Sequence, residues 1–334
     1  LHSEKEIRKH VFSLTPHSGD DVFNQVSLAV FKFQASTNRV YRSYLSNLKV
    51  NPDSIHHYTR IPFLPIEFFK SQEVICNELQ PSATCFTSSG TTGQAVSRHF
   101  VNDISVYQHS FEKCFEMFYG NPGEYCILAL LPNYLERAGS SLVYMCDHLI
   151  RKSGHPKSGF YLHNLDELIQ TIHDLKELKQ KTLLLGVSYA LMDLAERDVK
   201  LDENFIVMET GGMKGKRKEL LKVELHAFLR RRFNLSTIHS EYGMTELLSQ
   251  AYSKEGGLFN CPPWMKVLIR DVNDPFCYMG NEKTGGVNVI DLANFNSCAF
   301  IETKDLGRSK QSGDFEVLGR FDNSDLRGCN LMIG

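Results

Sequence analysis

Four short apolar or β-branched runs, at 125–131, 182–187, 205–209 and 237–240, are kept apart by helical patterns such as 189–196 and 216–232, and this alternation constrains the chain most. A strand apolar at nearly every position is buried on both faces, and successive strands joined by helical crossovers lie parallel. The pattern therefore predicts an α/β fold, a parallel sheet covered by helices. Ahead of it, Val22, Val26, Ala29, Val30 and Phe33 recur at helical spacing, which predicts an amphipathic core helix over 21–39. Beyond Trp264 the period changes. Runs at 265–271, 286–292, 299–303 and 315–318 read as strands joined by Asn, Asp, Gly and Pro turns, so a small antiparallel β barrel or sheet is expected to follow.

The composition is that of an intracellular enzyme. In 334 residues, 42% hydrophobic and 23% charged content suffice for a large core, and a net charge of -2 gives no electrostatic reason to expect nucleic acid. Nine cysteines are scattered with no C-x-x-C pair, so neither a disulfide framework nor a zinc cluster is indicated and a reduced compartment, the cytoplasm, is expected. Residues 1–17 mix charged and apolar groups too closely for a signal peptide, and no run approaches a membrane span.

Two motifs carry the chemistry. Ser88-Ser89-Gly90-Thr91-Thr92-Gly93 is rich in hydroxyls and glycines, so converging backbone N–H groups and Ser/Thr side chains can hold phosphate oxygens. It is not a Walker loop, because Gln94-Ala95-Val96 follows where Gly-Lys-Ser/Thr is required. About 150 residues later, Glu241-Tyr242-Gly243-Met244-Thr245-Glu246 sets a flat ring, a flexible joint, a hydroxyl and a carboxylate in six positions. Such a segment can grip a nucleoside and a metal. Gly211-Gly212 follows the run 205–209 and reads as a strand-to-helix turn where backbone can approach a ligand; the four basic side chains within 214–218 read as a solvated loop and helix start.

These segments resemble the phosphate-binding loop and the Tyr-Gly-x-Thr-Glu motif of the adenylate-forming superfamily, which includes acyl-CoA synthetases, luciferases and nonribosomal-peptide adenylation domains. Thr303-Lys304-Asp305-Leu306-Gly307 and Gly319-Arg320-Phe321-Asp322 are similar to its ribose-binding Asp and its Gly-Arg-x-Asp hinge. Residues 61–70, 131–137 and 140–145, with Arg327-Gly328-Cys329, resemble more narrowly the acyl-protein synthetase branch, the fatty-acid:protein ligase of the bioluminescence fatty-acid reductase complex. The likeness runs from about residue 55 to the end. It implies a catalytic domain over 1–319, comprising a helical N-terminus, an α/β core to about 260 and a β-rich part over 261–319. A hinge and tail over 320–334 would follow, with no full C-terminal cap domain.

The resemblance also implies roles. Tyr242 would stack on adenine within the Glu241–Gly243 stretch of the nucleotide motif, Thr245 would bind the α-phosphate and the substrate carboxylate, and Glu246 would reach Mg2+. Asp305 would accept the ribose hydroxyls and Arg320 donate to ribose or phosphate. Gly211 and Gly212 would approach nucleotide and acyl group, and Tyr134 would gate the acyl pocket. The family's loop lysine is missing, which leaves Arg98 or His99 to supply positive charge. Cys329 would take the acyl group as a thioester, helped by Arg327. The implied reaction uses ATP and Mg2+ to activate a carboxylic, most specifically a fatty, acid for transfer to a thiol on Cys329, a carrier protein or coenzyme A, with an acyl reductase as partner. Three alternatives stand beside it: an acyl-CoA ligase, a catalytically degenerate nucleotide-binding subunit of a reductase complex, and a serine hydrolase. The last would use Ser188 in Gly186-Val187-Ser188-Tyr189-Ala190, with His226 or His239 downstream as base and Asp202 between Ser188 and both of them in the chain.

Overall fold

The computed structural model describes residues 3–88, 95–131, 139–161, 164–212, 217 and 220–321. Each of the four predicted parallel strands forms, as Cys126–Leu130, Thr182–Val187, Phe205–Thr210 and His239–Tyr242. They lie in one sheet in the order Gly159–Phe160, Cys126–Leu130, Thr182–Val187, Phe205–Thr210, His239–Tyr242, Ala251–Ser253, and every pairing except the last is parallel. Thr182–Val187 is buried at all six positions, as a central strand covered on both faces must be. The last parallel strand starts two residues later than its apolar run, because His239 and Glu241 are paired by the sheet although neither belongs to an apolar period.

Helices cover this sheet, and local chemistry sets their ends. Ile104–Tyr119 begins where the Asp103 carboxylate accepts from the Ser105 N–H at 2.9 Å, and it stops at Gly120, whose φ of 83° suits a residue without a Cβ. Ser188–Ala195 and Lys222–Phe233 follow the second and third strands and pack on each other.

The second sheet is antiparallel, in the order Leu258–Phe259, Phe315–Arg320, Phe300–Ser309, Thr284–Asp291, Met265–Arg270. Leu64–Pro65 joins it by pairing in parallel with Phe300–Ser309. The strand expected over 299–303 runs on to Ser309, and the one expected over 315–318 runs on to Arg320, so the boundary drawn between 319 and 320 falls inside a strand. A separate hairpin pairs Thr84–Thr87 with Arg98–Val101. The sequence reading contained no such hairpin, because each arm is only four residues long.

The expected N-terminal helix spans Asp20–Thr37 and buries Val26, Val30 and Phe33 of the five residues read at its period. Phe23, Val26, Val30, Phe31 and Phe33 are buried, whereas Val22 is 46% exposed. Asn38 ends this helix and its side chain caps the next, Arg39–Asn47. Gln34 Nε2 donates to the carbonyls of Asn294 and Phe295 at 3.0 Å, and Gln34 Oε1 accepts from the Ala299 N–H, which ties the helix to the second sheet. Among the described residues, no helix is long and apolar enough to cross a membrane.

Candidate functional site

The motif 241–246 leaves the parallel sheet where the antiparallel sheet meets it. Tyr242 ends the last parallel strand, its ring packed against Phe259 and Phe315 at 5.8 and 5.4 Å, and its hydroxyl donates to Asp305 Oδ2 at 2.8 Å. This hydrogen bond joins the two sheets. Asp305 stands opposite Arg320 in the antiparallel register, and Arg320 Nε reaches Asp305 Oδ1 at 3.3 Å. The pair is asymmetric: the Asp305 side chain is 11% exposed and that of Arg320 70%. Burial pushes the Asp305 carboxyl above the usual carboxylate range, and the Tyr242 hydroxyl and the Arg320 charge oppose that shift.

Glu246 belongs to the same group. It is 5% exposed, burial raises its pKa, and a hydrogen bond from the Ser97 hydroxyl and the charge of Arg320 act the other way. Ser97 in turn closes the base of the hydroxyl-rich loop: Ser88 N–H donates to the Ser97 carbonyl at 3.1 Å, and Ser97 N–H donates to Ser88 Oγ at 2.9 Å. Ser88 thus stands at the mouth of the loop, while Ser89, Gly90, Thr91, Thr92 and Gly93 lie outside the described residues, as do Tyr134 and Cys329.

Two buried side chains fix the backbone at Thr245 and Glu246. His99 Nδ1 donates to the Thr245 carbonyl at 2.8 Å and Nε2 lies 3.0 Å from Asn294 Oδ1, while Asn294 Nδ2 donates to the Glu246 carbonyl at 2.8 Å. Burial lowers the His99 pKa to about 4, while the hydrogen bonds to Thr245 and Asn294 act the other way. His99 was considered as a source of positive charge; its buried ring is engaged by Thr245 and Asn294 and orients the Thr245 carbonyl. Arg98, half-exposed, lies 5.6 Å from the Phe100 ring. Asp291 secures the following residues by accepting from the N–H groups of Leu248 and Ser249 and from Ser249 Oγ. None of Ser97, Asn294 or Asp291 was singled out as a site residue from the sequence, and His99 was named only as a source of charge. Only the position of Ser97 and His99 directly after the loop hinted at them.

Glu241 turns the other way from Tyr242, as neighbours on a strand must. Its buried carboxyl accepts from Thr210 Oγ1, and burial pushes its pKa up to about 7. A Cβ on Gly243 would crowd Glu241 Oε1, so a larger residue there would displace that carboxyl. Gly211, with φ at 66°, and Gly212 follow Thr210 at the end of the neighbouring strand. Arg217, from the basic stretch, is committed to a fork with Asp193 and Glu196.

The serine-hydrolase arrangement does not form. Ser188 is 2% exposed and its hydroxyl lies 3.3 Å from Glu209 Oε2. His226 Nε2 engages Glu209 and Ser240, His239 Nδ1 engages Tyr119, and Asp202 accepts from Asn204. Ser188 faces a carboxylate, which cannot take its proton at neutral pH as an imidazole base would.

Among the described residues, no group of three or more His, Cys, Asp and Glu side chains gathers to hold a metal. Magnesium held through one or two carboxylates, phosphate oxygens and water needs no such group. Glu246, a buried carboxylate beside the loop base, fits that use because a divalent cation would offset the charge that burial disfavours.

No protein-family model matches the sequence, and no curated protein matches it. Solved structures do. An open conformation of 2-hydroxyisobutyryl-CoA ligase in complex with 2-HIB-AMP and CoA is 11% identical, over 91% of this chain and 70% of that one, with a TM-score of 0.66. ATP-bound MatB from Rhodopseudomonas palustris is 15% identical, over 71% of this chain and 47% of that one, with a TM-score of 0.52. O-succinylbenzoate coenzyme A synthetase (MenE) from Bacillus subtilis, in complex with AMP, is 19% identical, over 74% and 51%, with a TM-score of 0.50. The chain thus spans about half the length of the MatB and MenE chains it matches. At such identities the likeness is one of fold, and the fold of this chain is that of the N-terminal domain of adenylate-forming enzymes.

Proposed function

We propose that this protein activates a carboxylic acid with ATP, forming acyl-AMP and pyrophosphate, and passes the acyl group to a thiol. The observation that carries the reading is the convergence of Tyr242, Asp305, Arg320 and Glu246 where the two sheets meet, next to the Ser88–Ser97 base of the hydroxyl-rich loop. It is supported by a fold shared with a ligase solved with 2-HIB-AMP and CoA and with MatB solved with ATP.

In this reading Tyr242 offers its ring to adenine, Asp305 takes the ribose hydroxyls, and Arg320, largely exposed, is free to turn toward ribose or phosphate. Residues 88–93 cradle the phosphates, with Gly211 and Gly212 approaching from the neighbouring strand. Thr245, oriented through its carbonyl by His99, presents its hydroxyl to the α-phosphate and the substrate carboxylate. Glu246 would hold Mg2+, which supplies charge neutralisation on the phosphates. The residues thus act by positioning and charge stabilisation rather than by covalent chemistry at phosphorus.

The finer assignment is an acyl-protein synthetase acting on a fatty acid, with Tyr134 at the acyl entrance and Cys329 as the acceptor thiol. The eight described cysteines are free thiols, which suits a reducing, cytoplasmic setting. An acyl-CoA ligase is the second reading, favoured by the ligase neighbour that holds CoA.

Carboxylate-dependent exchange of labelled pyrophosphate into ATP, over a panel of short, long-chain and aromatic acids, tests the proposal. Exchange that depends on one class of acid supports it and names the substrate. Tight ATP binding with no exchange for any acid would leave a degenerate nucleotide-binding subunit instead.

A further inference from the structure

Directly behind the Gly211 turn lies a buried charge to which the reading above gives no role. Glu209, 1% exposed, is the penultimate residue of Phe205–Thr210 and points to the face opposite Thr210. Its Oε1 accepts from Ser240 Oγ at 2.6 Å, pairs with Lys222 Nζ, and lies 3.4 Å from His226 Nε2. The Ser188 hydroxyl shares its one proton between Glu209 Oε2 at 3.3 Å and the Gly211 carbonyl oxygen at 3.5 Å. Burial pushes the Glu209 carboxyl up, but Lys222 and the hydrogen bonds from His226, Lys222 and Ser240 outweigh it and leave the pKa at about 2. The group is therefore ionised at any physiological pH.

These partners come from separate segments. Ser188 opens the helix after Thr182–Val187, Lys222 and His226 lie one turn apart on Lys222–Phe233, and Ser240 is two residues before Tyr242 on the same face of its strand. A buried ion pair is a poor way to hold a core together, since apolar side chains of similar volume commonly do as well or better. What such a carboxylate does well is fix geometry, because its donors must keep their places or leave a charge unsatisfied. Here those places include the carbonyl of Gly211 and the strand that carries Tyr242.

We infer that Glu209 is a positioning residue for the nucleotide: through Ser188 it sets the Gly211–Gly212 turn, and through Ser240 it sets Tyr242, so that the two sides of the nucleotide site keep one spacing. The inference rests on the proposed ATP site. Glu209 touches no reacting atom, and its contribution is expected in nucleotide affinity rather than in the chemical step.

The test compares Glu209→Gln, Glu209→Asp and Ser188→Ala with the parent protein, by direct ATP titration and by the KM and kcat of pyrophosphate exchange. Glu209→Gln is expected to raise the ATP Kd and KM about tenfold or more with kcat within about threefold, and Glu209→Asp to recover most of the loss. Ser188→Ala leaves the Lys222 pair in place, so it tests the link to Gly211 even if Glu209→Gln folds poorly. It should raise the ATP KM by about threefold or more without changing the KM for the acid. Wild-type ATP affinity in a folded Glu209→Gln, or in Ser188→Ala if the former does not fold, would overturn the inference and reduce Glu209 to a core charge. If the parent protein itself binds no ATP, the nucleotide reading fails and the inference falls with it, a result recognisable before any variant is made.

Discussion

Replacing Asp305 by alanine removes the carboxylate that joins the two sheets, and the structure lets its effect on folding be separated from its effect on ATP. The Tyr242 hydroxyl, buried and 2.8 Å from Oδ2, would lose its acceptor, which costs roughly 1–3 kcal/mol. The Arg320 pair adds at most about 1 kcal/mol, because that guanidinium is 70% exposed and largely solvated. Asp305→Asn keeps an amide oxygen in place of Oδ2, so its stability loss should be under about 1 kcal/mol. On the nucleotide side, charge-assisted hydrogen bonds to the ribose hydroxyls are each worth roughly 1.5–3 kcal/mol net of competition from water. A net loss of about 2–3 kcal/mol would weaken ATP roughly 30- to 150-fold in Asp305→Ala. Calorimetric titration, read beside denaturant midpoints, checks both quantities, and 2′- and 3′-deoxy ATP sharpen the comparison. The parent protein should discriminate against the deoxy nucleotides and Asp305→Ala should not. Unchanged ATP affinity in a folded Asp305→Ala protein would refute the ribose assignment and leave Asp305 only as the acceptor for Tyr242.

Glu246→Gln should lower pyrophosphate exchange by about a hundredfold or more while the melting temperature stays near that of the parent, since burial disfavours the charge that glutamine lacks; near-normal exchange would remove Glu246 as a metal ligand. Cys329→Ser should still form acyl-AMP and release pyrophosphate but lose a hydroxylamine-sensitive acyl label, checked with radiolabelled acid and peptide mapping; a retained label would assign the thiol elsewhere. Glu241 has a folded-state pKa of about 7 against an ordinary 4.5, so its contribution to stability is full below pH 4.5 and is lost as the pH rises through 7. Glu241→Gln should flatten the fall in stability across that window, worth on the order of 1 kcal/mol per pH unit, and denaturant unfolding at pH 5, 6 and 7 reads the difference.

Periodicity and composition act over a few residues, so what depends on them was legible in the chain. Thr182–Val187 came out with its predicted bounds because a strand buried on both faces is apolar throughout, and the change of period after Trp264 marked the second sheet. The motif 241–246 and the pair Asp305 and Arg320 were legible as chemistry. Tertiary structure alone decided what each residue faces. Glu241 and Tyr242 are adjacent in the motif, yet the pleat sends one to Thr210 and the other to Asp305, 63 residues away. His99 read as a source of charge, and only its burial, with Thr245 and Asn294 against its ring, shows it as a support for the backbone of the motif. Ser188 read as a nucleophile because the turn around it has the right residues, and its real neighbour, Glu209, is 21 positions away. Val22 fits the helical period as well as Phe23 does, yet on a helix held by Gln34 against Asn294, Phe295 and Ala299 the one is exposed and the other buried. Burial and charge at a site are sums over segments distant in the chain, and no local pattern carries them.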